Sequence, residues 1–262
     1  MGVRHTEAVP SDFLDRASPI AFAHRGGAGH FPENSWRAFE HAVGLGYAYL
    51  ETDVHATADG VLMAFHDKTL DRVTDATGRI CALPYSTVAA ARIAGTDPIP
   101  RLEDLLGAWP QVRFNIDVKD SPAVGPLAGV LGRTGAWDRV CITSFSAWRL
   151  RAARRALRRP VCTATTAAGI AGVRLAVPAA VLAPRFAARS VRCAQIPVSI
   201  ATAPFVRRAH AAGLKVHVWT VNDRKVMTAL LDLGVDGIMT DQTELLREVL
   251  SARGQWHPQA CG

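Results

Sequence analysis

Short apolar runs alternate with helical stretches along almost the whole chain, and this predicts an α/β protein whose parallel strands close into a barrel. Two further observations narrow the class. Eight of the runs read as parallel strands, beginning near Ile20, Tyr49, Val112, Arg139, Val161, Cys193, Lys215 and Gly237. No Gly-x-Gly-x-x-Gly run follows the first of them, which removes the usual dinucleotide-binding sheet. At 262 residues the length suits one TIM (β/α)8 barrel, with an open doubly wound sheet as the weaker alternative.

The elements follow in order. Residues 1–19 are polar and punctuated by prolines, and read as a loose lead-in. Ile20 to Ala23 is the first strand. Ser35 caps a helix from Trp36 to Leu45, on which Trp36, Phe39, Ala42 and Val43 recur at helical spacing. Tyr49 to Val54 is the second strand. Asp59-Gly60 turns the chain into a short hairpin, Val61 to Phe65, that presents His66. The pattern weakens from Asp67 to Pro98, with a short helix expected over Thr87–Ile93 and another from Arg101 to Ala108. Beyond Val112 strands and helices alternate regularly, except for the Ala/Val-rich stretch up to Ala188, where Pro178 and Pro184 interrupt any long helix. The last helix spans Thr243–Leu250. The barrel domain therefore covers 20–250, and residues 251–262 read as a frayed tail.

Composition bounds the function classes. The formal net charge is +7, and arginine clusters over Arg149–Arg159 and Arg185–Arg192. Basic helix faces are usually solvated surface, and no aromatic ladder or zinc-finger spacing accompanies these, so nucleic acid is not an expected partner. Peripheral contact with an anionic membrane surface is compatible with them. The five cysteines (Cys81, Cys141, Cys162, Cys193 and Cys261) are scattered and never in a Cys-x-x-Cys pair. That argues against a disulfide framework and against a cysteine zinc site, and Cys141 and Cys162 read as small buried hydrophobes. No stretch has the length of a membrane span or a signal-peptide core, so a cytoplasmic protein without integral membrane association is the default expectation. The sequence assigns no oligomeric state.

The chemistry gathers at the strand ends. In a barrel, residues just past the carboxyl ends of the strands converge on one face. They include His24, Arg25, Glu51, Asp53, His66, Asp67, Asn115, Asp117, Lys119, Ser144, Gln195, Trp219 and Asp241. Glu51 and Asp53 are two apart on one strand and share a face, as do Asn115, Asp117 and Lys119 on the next barrel strand. Like charges inside a barrel are costly unless a cation offsets them, so Glu51, Asp53 and Asp117 form an oxygen-rich set for one hard divalent ion, Mg²⁺ or Ca²⁺. Two histidines beside it, His24 and His66, suit proton transfer, and Arg25 and Lys119 suit phosphate oxygens. Taken singly, each has a bland reading: His24 as a turn residue, His66-Asp67 as a capped turn, Asn34 as a residue that orients Glu33 or caps its loop, Trp219 as core. Gln195 and Asp241 are the weaker candidates. Four such strand ends together favour a site.

The same residues carry a family resemblance. His24-Arg25-Gly26, Pro32-Glu33-Asn34, Glu51-Thr52-Asp53-Val54, His66-Asp67 with Leu70-Asp71-Arg72, Ile99-Pro100-Arg101-Leu102-Glu103, Asn115-Ile116-Asp117-Val118-Lys119, Val218-Trp219-Thr220-Val221-Asn222 and Gly234 to Asp241 occur in this order. The ordered set resembles the glycerophosphodiester phosphodiesterases. The resemblance implies a TIM barrel that hydrolyses small-molecule glycerophosphodiesters to an alcohol and sn-glycerol 3-phosphate. It implies His24 and His66 as acid and base, Glu51, Asp53 and Asp117 as metal ligands, and Arg25 and Lys119 as phosphate contacts. Trp219 and Gln195 are placed with the substrate, and Glu33, Asn34, Asp67 and Asn115 in support. The family's insertion after the second barrel strand corresponds to Asp67–Arg101, where it is expected to be short and to cover the glycerol pocket. One departure stands out: the position of Asp117 is usually glutamate in the family, which bears on the ion. Two other readings compete. One is a phospholipase D-like enzyme acting on lysophospholipids or sphingomyelin, disfavoured by the lack of a recognisable exposed aromatic loop. The other is an inactive phosphodiester-binding barrel.

Overall fold

The structure, a computed structural model, describes residues 12–15, 19–157, 159–187 and 190–259. Eight parallel strands form the barrel: β1 (Ile20–Ala23), β2 (Tyr49–Ala56), β6 (Arg113–Val118), β7 (Val140–Thr143), β8 (Cys162–Ala164), β9 (Val191–Pro197), β10 (Lys215–Trp219) and β11 (Gly237–Thr240). β1 pairs with both β2 and β11, which closes the sheet on itself. Three small strands lie outside the barrel count. β3 (Leu62–Ala64) runs antiparallel to β2 as the expected hairpin, and β4 (Arg92–Ile93) and β5 (Asp97–Pro98) form a separate ribbon.

The helices are α1 (Trp36–Gly44), α2 (Tyr85–Ala90), α3 (Leu102–Ala108), α4 (Val124–Thr134), α5 (Ala147–Ala156), α6 (Ala167–Arg174), α7 (Ala179–Ala187), α8 (Ala203–Ala211), α9 (Arg224–Asp232) and α10 (Thr243–Ala252). Side-chain caps start several of them. Ser35 accepts from Ala38 N, Ser146 from Arg149 N, and Asp223 from Lys225 N and Val226 N. The ambiguous Ala/Val-rich stretch resolves into α6 and α7. Pro178 separates them as expected, but Pro184 sits inside α7 rather than ending it. Ala188, where that stretch was taken to end, and Arg158 and Arg189 of the basic clusters lie outside the described residues.

Apolar side chains on the outer faces of the strands pack against the helices in two large clusters. A smaller cluster fills the inside of the barrel: Phe13, Phe22, Tyr49, Cys141, Cys162, Cys193 and Met239 are among its members. The lead-in is therefore not uniformly loose. Phe13 is completely buried, stacks edge-on to Tyr49 at 5.3 Å, and accepts a hydrogen bond from Tyr49 Oη through its carbonyl. The other residues of 1–19, apart from Asp12–Asp15 and Pro19, lie outside the described residues. Nor is the tail frayed throughout. Trp256 packs against Tyr47, and Gln259 N donates to Gly46 O at 2.9 Å. Cys261 lies beyond the described part.

The segment between β3 and α3 has its own apolar centre, where Leu70, Ile80, Val88, Ile93 and Ile99 pack on Met63 and Phe65. The expected helix over Thr87–Ile93 is α2, shifted two residues toward the N-terminus, and Arg92–Ile93 pairs as β4 instead.

Candidate active site

The chain after β1 turns sharply through Arg25, Gly26 and Gly27, whose φ values are +51°, +84° and +92°. A Cβ on Gly26 would lie 3.0 Å from Ala38 Cβ and from Phe39, so the turn needs glycine both for its backbone angle and for its close approach to α1. Arg25, with a side chain in the left-handed region, carries strain of order 1 kcal/mol or more, held by Asn34 N donating to its carbonyl at 2.8 Å. The turn points both His24 and the Arg25 N–H into the barrel mouth.

His24 Nδ1 lies 2.7 Å from Asp241 Oδ1, and its Nε2 is 3.9 Å from Glu51 Oε2. Burial alone would lower the pKa of this imidazole, but Glu51 and the Asp241 hydrogen bond outweigh it and raise the value above that of an ordinary histidine. Asp241 is itself fixed: Asn222 Nδ2 donates to its Oδ2 at 2.8 Å, and its own N–H donates to Asn222 Oδ1. His66 repeats the arrangement, with Nδ1 2.7 Å from Asp67 Oδ1. Arg72 clamps the other oxygen of Asp67 and also reaches Glu33, and its hydrogen bond is the main reason the Asp67 carboxyl falls to about 2. In both pairs Nδ1–H facing a carboxylate leaves Nε2 as the nitrogen available to a ligand.

The carboxylates come from adjacent strands. Glu51 of β2 is level with Asn115 of β6, and Asp53 with Asp117. Burial and the neighbouring Asp53 push the Glu51 carboxyl up to about 7, although Arg25 N donates to it at 2.9 Å. Lys119 Nζ bridges Asp53 Oδ1 at 2.8 Å and Asp117 Oδ2 at 2.7 Å, while Asp117 Oδ1 is buried without a hydrogen-bond partner. As placed, no choice of one oxygen each brings Glu51, Asp53 and Asp117 within 4.8 Å of one another. The donor set nevertheless fits a hard divalent ion: it is all oxygen, one oxygen is orphaned, and an ammonium already sits as a cation between two of the carboxylates.

Arg25 also faces carboxylates, with Nη1 donating to Glu33 at 3.0 Å and Nε 3.3 Å from Asp53. The sequence suggests that Asn34 orients Glu33 or caps its loop. Its amide instead reaches Asp53 at 3.4 Å, and its carbonyl oxygen accepts from Thr52. Asn115 and Gln195 exchange amide hydrogen bonds across the barrel, Gln195 Nε2 donating to Asn115 Oδ1 at 2.6 Å.

His24, Arg25, Glu51, His66, Asn115, Asp117, Lys119, Gln195 and Trp219 all line one cavity of ≈ 340 Å³ at the strand ends. Asp53 of the expected metal ligands, and Glu33, Asn34 and Asp67 of the supporting set, stand behind that wall, bonded to residues that form it. The 67–101 segment corrects an expectation. None of its residues lines the cavity: its apolar side chains turn inward to their own centre, and its polar reach into the site is Asp67, on His66, with Arg72 behind it. The far wall consists of Phe145, Ala167, Ile170, Pro197, Trp219 and Met239. Phe145 is 72% exposed, stands edge-on to Trp219 at 5.7 Å, and faces Lys119 Nζ at 5.5 Å; Trp148, one turn along α5, is 62% exposed. Phe145 is therefore an exposed aromatic at the mouth, whereas Trp148 does not line this cavity. A larger groove between α4 and α5, lined by Trp137, Trp148, Arg151, Arg155 and Arg159, holds no histidine or carboxylate.

Sequence reasoning ranked Asp241 low and gave no role to Asn222, Arg72 or Phe145. A lone aspartate after a strand carries no signal until the strand's neighbour is known. Arg72 belongs to the Leu70-Asp71-Arg72 motif, but only the fold brings it onto Asp67.

Residues 24–245 match the model of the glycerophosphoryl diester phosphodiesterase family. A Mycobacterium tuberculosis protein named as a probable glycerophosphodiester phosphodiesterase is 42% identical over 255 residues, covering 94% of this chain and 96% of its own. A human lysophospholipase D is 25% identical over 87% of this chain and 85% of its own. Among solved structures, a glycerophosphodiester phosphodiesterase from Agrobacterium tumefaciens superposes with a TM-score of 0.75 at 23% identity, covering 88% of this chain and 99% of that one. An Oleispira antarctica phosphodiesterase, solved with the product sn-glycerol 3-phosphate, gives 0.76 at 23% identity over 89% and 97%. With a match that begins at His24 and runs the length of the closed barrel, this chain belongs to the glycerophosphoryl diester phosphodiesterase family.

Proposed function

We propose that the enzyme hydrolyses small glycerophosphodiesters to an alcohol and sn-glycerol 3-phosphate, with His24 and His66 dividing the two proton transfers. The observation that carries this reading is the pair of His–Asp dyads on one cavity, each with Nδ1 2.7 Å from its aspartate. The product bound by the Oleispira antarctica phosphodiesterase supports the product assignment.

Glu51, Asp53 and Asp117 would hold one divalent ion, Mg²⁺ or Ca²⁺, which when bound would offset phosphate charge and acidify the glycerol hydroxyl beside the ester. The chain's own residues do the rest. One histidine takes the proton from the attacking oxygen at Nε2, and the other gives its proton to the departing alcohol oxygen. Attack by the neighbouring glycerol hydroxyl gives a cyclic glycerol phosphate that water then opens; attack by water uses the same two groups. Asp241 and Asp67 hold each ring in the tautomer that leaves Nε2 to react and stabilise it when charged. Arg25 and Lys119, released from Asp53 and Asp117, bind the non-bridging phosphate oxygens. Trp219 and Gln195 bound the substrate's side of the cavity.

A second reading, hydrolysis of lysophospholipids to a head-group alcohol and a lysophosphatidic acid, gains support from exposed Phe145 on the cavity wall. The human relative's name is consistent with it. An inactive barrel is not favoured, because the chain keeps both histidines, their aspartate partners and all three carboxylates.

The deciding experiment is release of glycerol 3-phosphate from a panel of glycerophosphodiesters, using metal-stripped protein with Mg²⁺, Ca²⁺ or Mn²⁺ restored. Ion-dependent release is the expected result. Silence with every ion, together with turnover of lysophosphatidylcholine, would move the substrate to the lipid class.

A further inference from the structure

Cys141, Cys162 and Cys193 are far apart in sequence and carry no ligand spacing, yet β7, β8 and β9 are neighbours and all three thiols point into the barrel. One sulfur from each lies within 4.8 Å of the other two, and Cys141 and Cys193 Sγ are 3.9 Å apart. Zinc–thiolate bonds of about 2.3 Å at tetrahedral angles set sulfurs roughly 3.8 Å apart. His217 of β10 adjoins Cys193, although its ring nitrogens lie outside the mutual 4.8 Å spacing of the three sulfurs, so the ring must shift toward them to become the fourth donor. It is fully buried, and neither Nδ1 nor Nε2 has a hydrogen-bond partner of good geometry. The ring is held by Phe22 at 4.8 Å and by Gly237, where a Cβ would come within 3.0 Å of His217 Cδ2.

Core filling accounts for three cysteines but not for this imidazole, since leaving a buried polar group unpaired costs about 1–3 kcal/mol. Three sulfurs and one nitrogen are the donors of a closed tetrahedral site. We propose that Cys141, Cys162, Cys193 and His217 bind a thiophilic divalent cation, Zn²⁺ by chemistry, inside the barrel and apart from the catalytic mouth. Binding forms three metal–sulfur bonds and one metal–nitrogen bond and releases the thiol protons to solvent; no electron is transferred. The site lies directly under the Asn115–Gln195 pair: Gln195 Nε2 is 3.8 Å from Cys193 Sγ. Its role is structural, tying three strands of the barrel wall to a fourth.

The test uses the full chain purified from cells grown with Zn²⁺ or with Co²⁺, then passed over a chelating resin that strips weakly held oxygen-bound ions. About one equivalent of metal should remain, and the cobalt form should show a sulfur-to-cobalt charge-transfer band and tetrahedral d–d bands, which a carboxylate site does not give. Cys193→Ser and His217→Ala should retain at least tenfold less metal, while Cys81→Ser, away from the cluster, retains all of it. Folded wild-type protein that retains neither ion overturns the proposal, as does a Cys141–Cys193 disulfide in the intact mass of metal-free protein. The wild-type spectrum decides even where a variant fails to fold, and it is independent of the catalytic reading.

Discussion

His24 Nδ1 and Asp241 Oδ1 lie 2.7 Å apart although 217 residues separate them in the chain. The contact exists because β1 pairs with β11, Ala23 opposite Thr240, so closing the barrel is what assembles the dyad. Asp241→Asn should keep the fold and the Asn222 contact but lose the charge that supports the imidazolium. Its kcat should fall about 10²-fold or more with KM changed little. Steady-state kinetics beside an unchanged circular dichroism spectrum would check this; an unaffected kcat would reduce Asp241 to a structural partner.

The two histidines can be assigned by leaving group. His24→Ala and His66→Ala should each lower kcat about 10²–10⁴-fold on glycerophosphocholine. A p-nitrophenyl ester of glycerol phosphate needs no proton on its leaving oxygen. The variant lacking the general acid should therefore recover most of its rate on that substrate, while the variant lacking the base should not. Equal loss from both variants on both substrates would refute the division of labour.

The strand count, most element positions and the residues lining the mouth are legible in the sequence because each follows from a local pattern: a buried run, a cap, a charged residue just past a strand. What is not legible depends on which strands become neighbours. Asp241 and Arg72 gain their contacts only across the fold, and the thiol cluster has no ligand spacing because its members sit on successive strands. What the insertion covers is illegible for a related reason. Its apolar residues could have covered the cavity or one another, and only packing decides; Ile80, Val88 and Ile93 pack together.

The raised Glu51 carboxyl has a consequence for stability. Its folded pKa of about 7 lies above its usual 4.5, so between those values the folded state holds more protons than the unfolded state. Stability from this group is full below pH ~4.5, is lost as pH rises to about 7, and is flat beyond, a loss of about 3 kcal/mol. Urea unfolding of metal-stripped protein should show that slope, Glu51→Gln should remove it, and saturating divalent ion should restore stability at pH 7 and above. A flat profile in the stripped wild type would contradict it.

Phe145 should matter for acyl-bearing substrates alone. An apolar side chain covered by an acyl chain contributes about 1.5–3 kcal/mol, so Phe145→Ala should raise KM for lysophosphatidylcholine roughly tenfold or more. KM for glycerophosphocholine should move less than about twofold. Equal shifts on both substrates would mean that Phe145 shapes the small-substrate pocket instead.

The ion preference of the proposed site should turn on Asp117. It stands level with Asp53, its Oδ1 is unpartnered, and Lys119 binds its Oδ2. An aspartate reaches one methylene less far than the glutamate usual in the family. Mg²⁺ demands near-ideal octahedral geometry at about 2.0–2.1 Å, whereas Ca²⁺ accepts 2.3–2.6 Å and looser angles. The wild-type chain should therefore work better with Ca²⁺ than with Mg²⁺, and Asp117→Glu should shift the ratio of kcat/KM toward Mg²⁺ by several-fold. The longer side chain also brings its carboxylate closer to Lys119, so Lys119→Met in the same background separates ion geometry from charge: if the ratio still shifts, reach is the cause. A wild-type preference for Mg²⁺, unchanged by Asp117→Glu, would remove Asp117 from the ion's ligands.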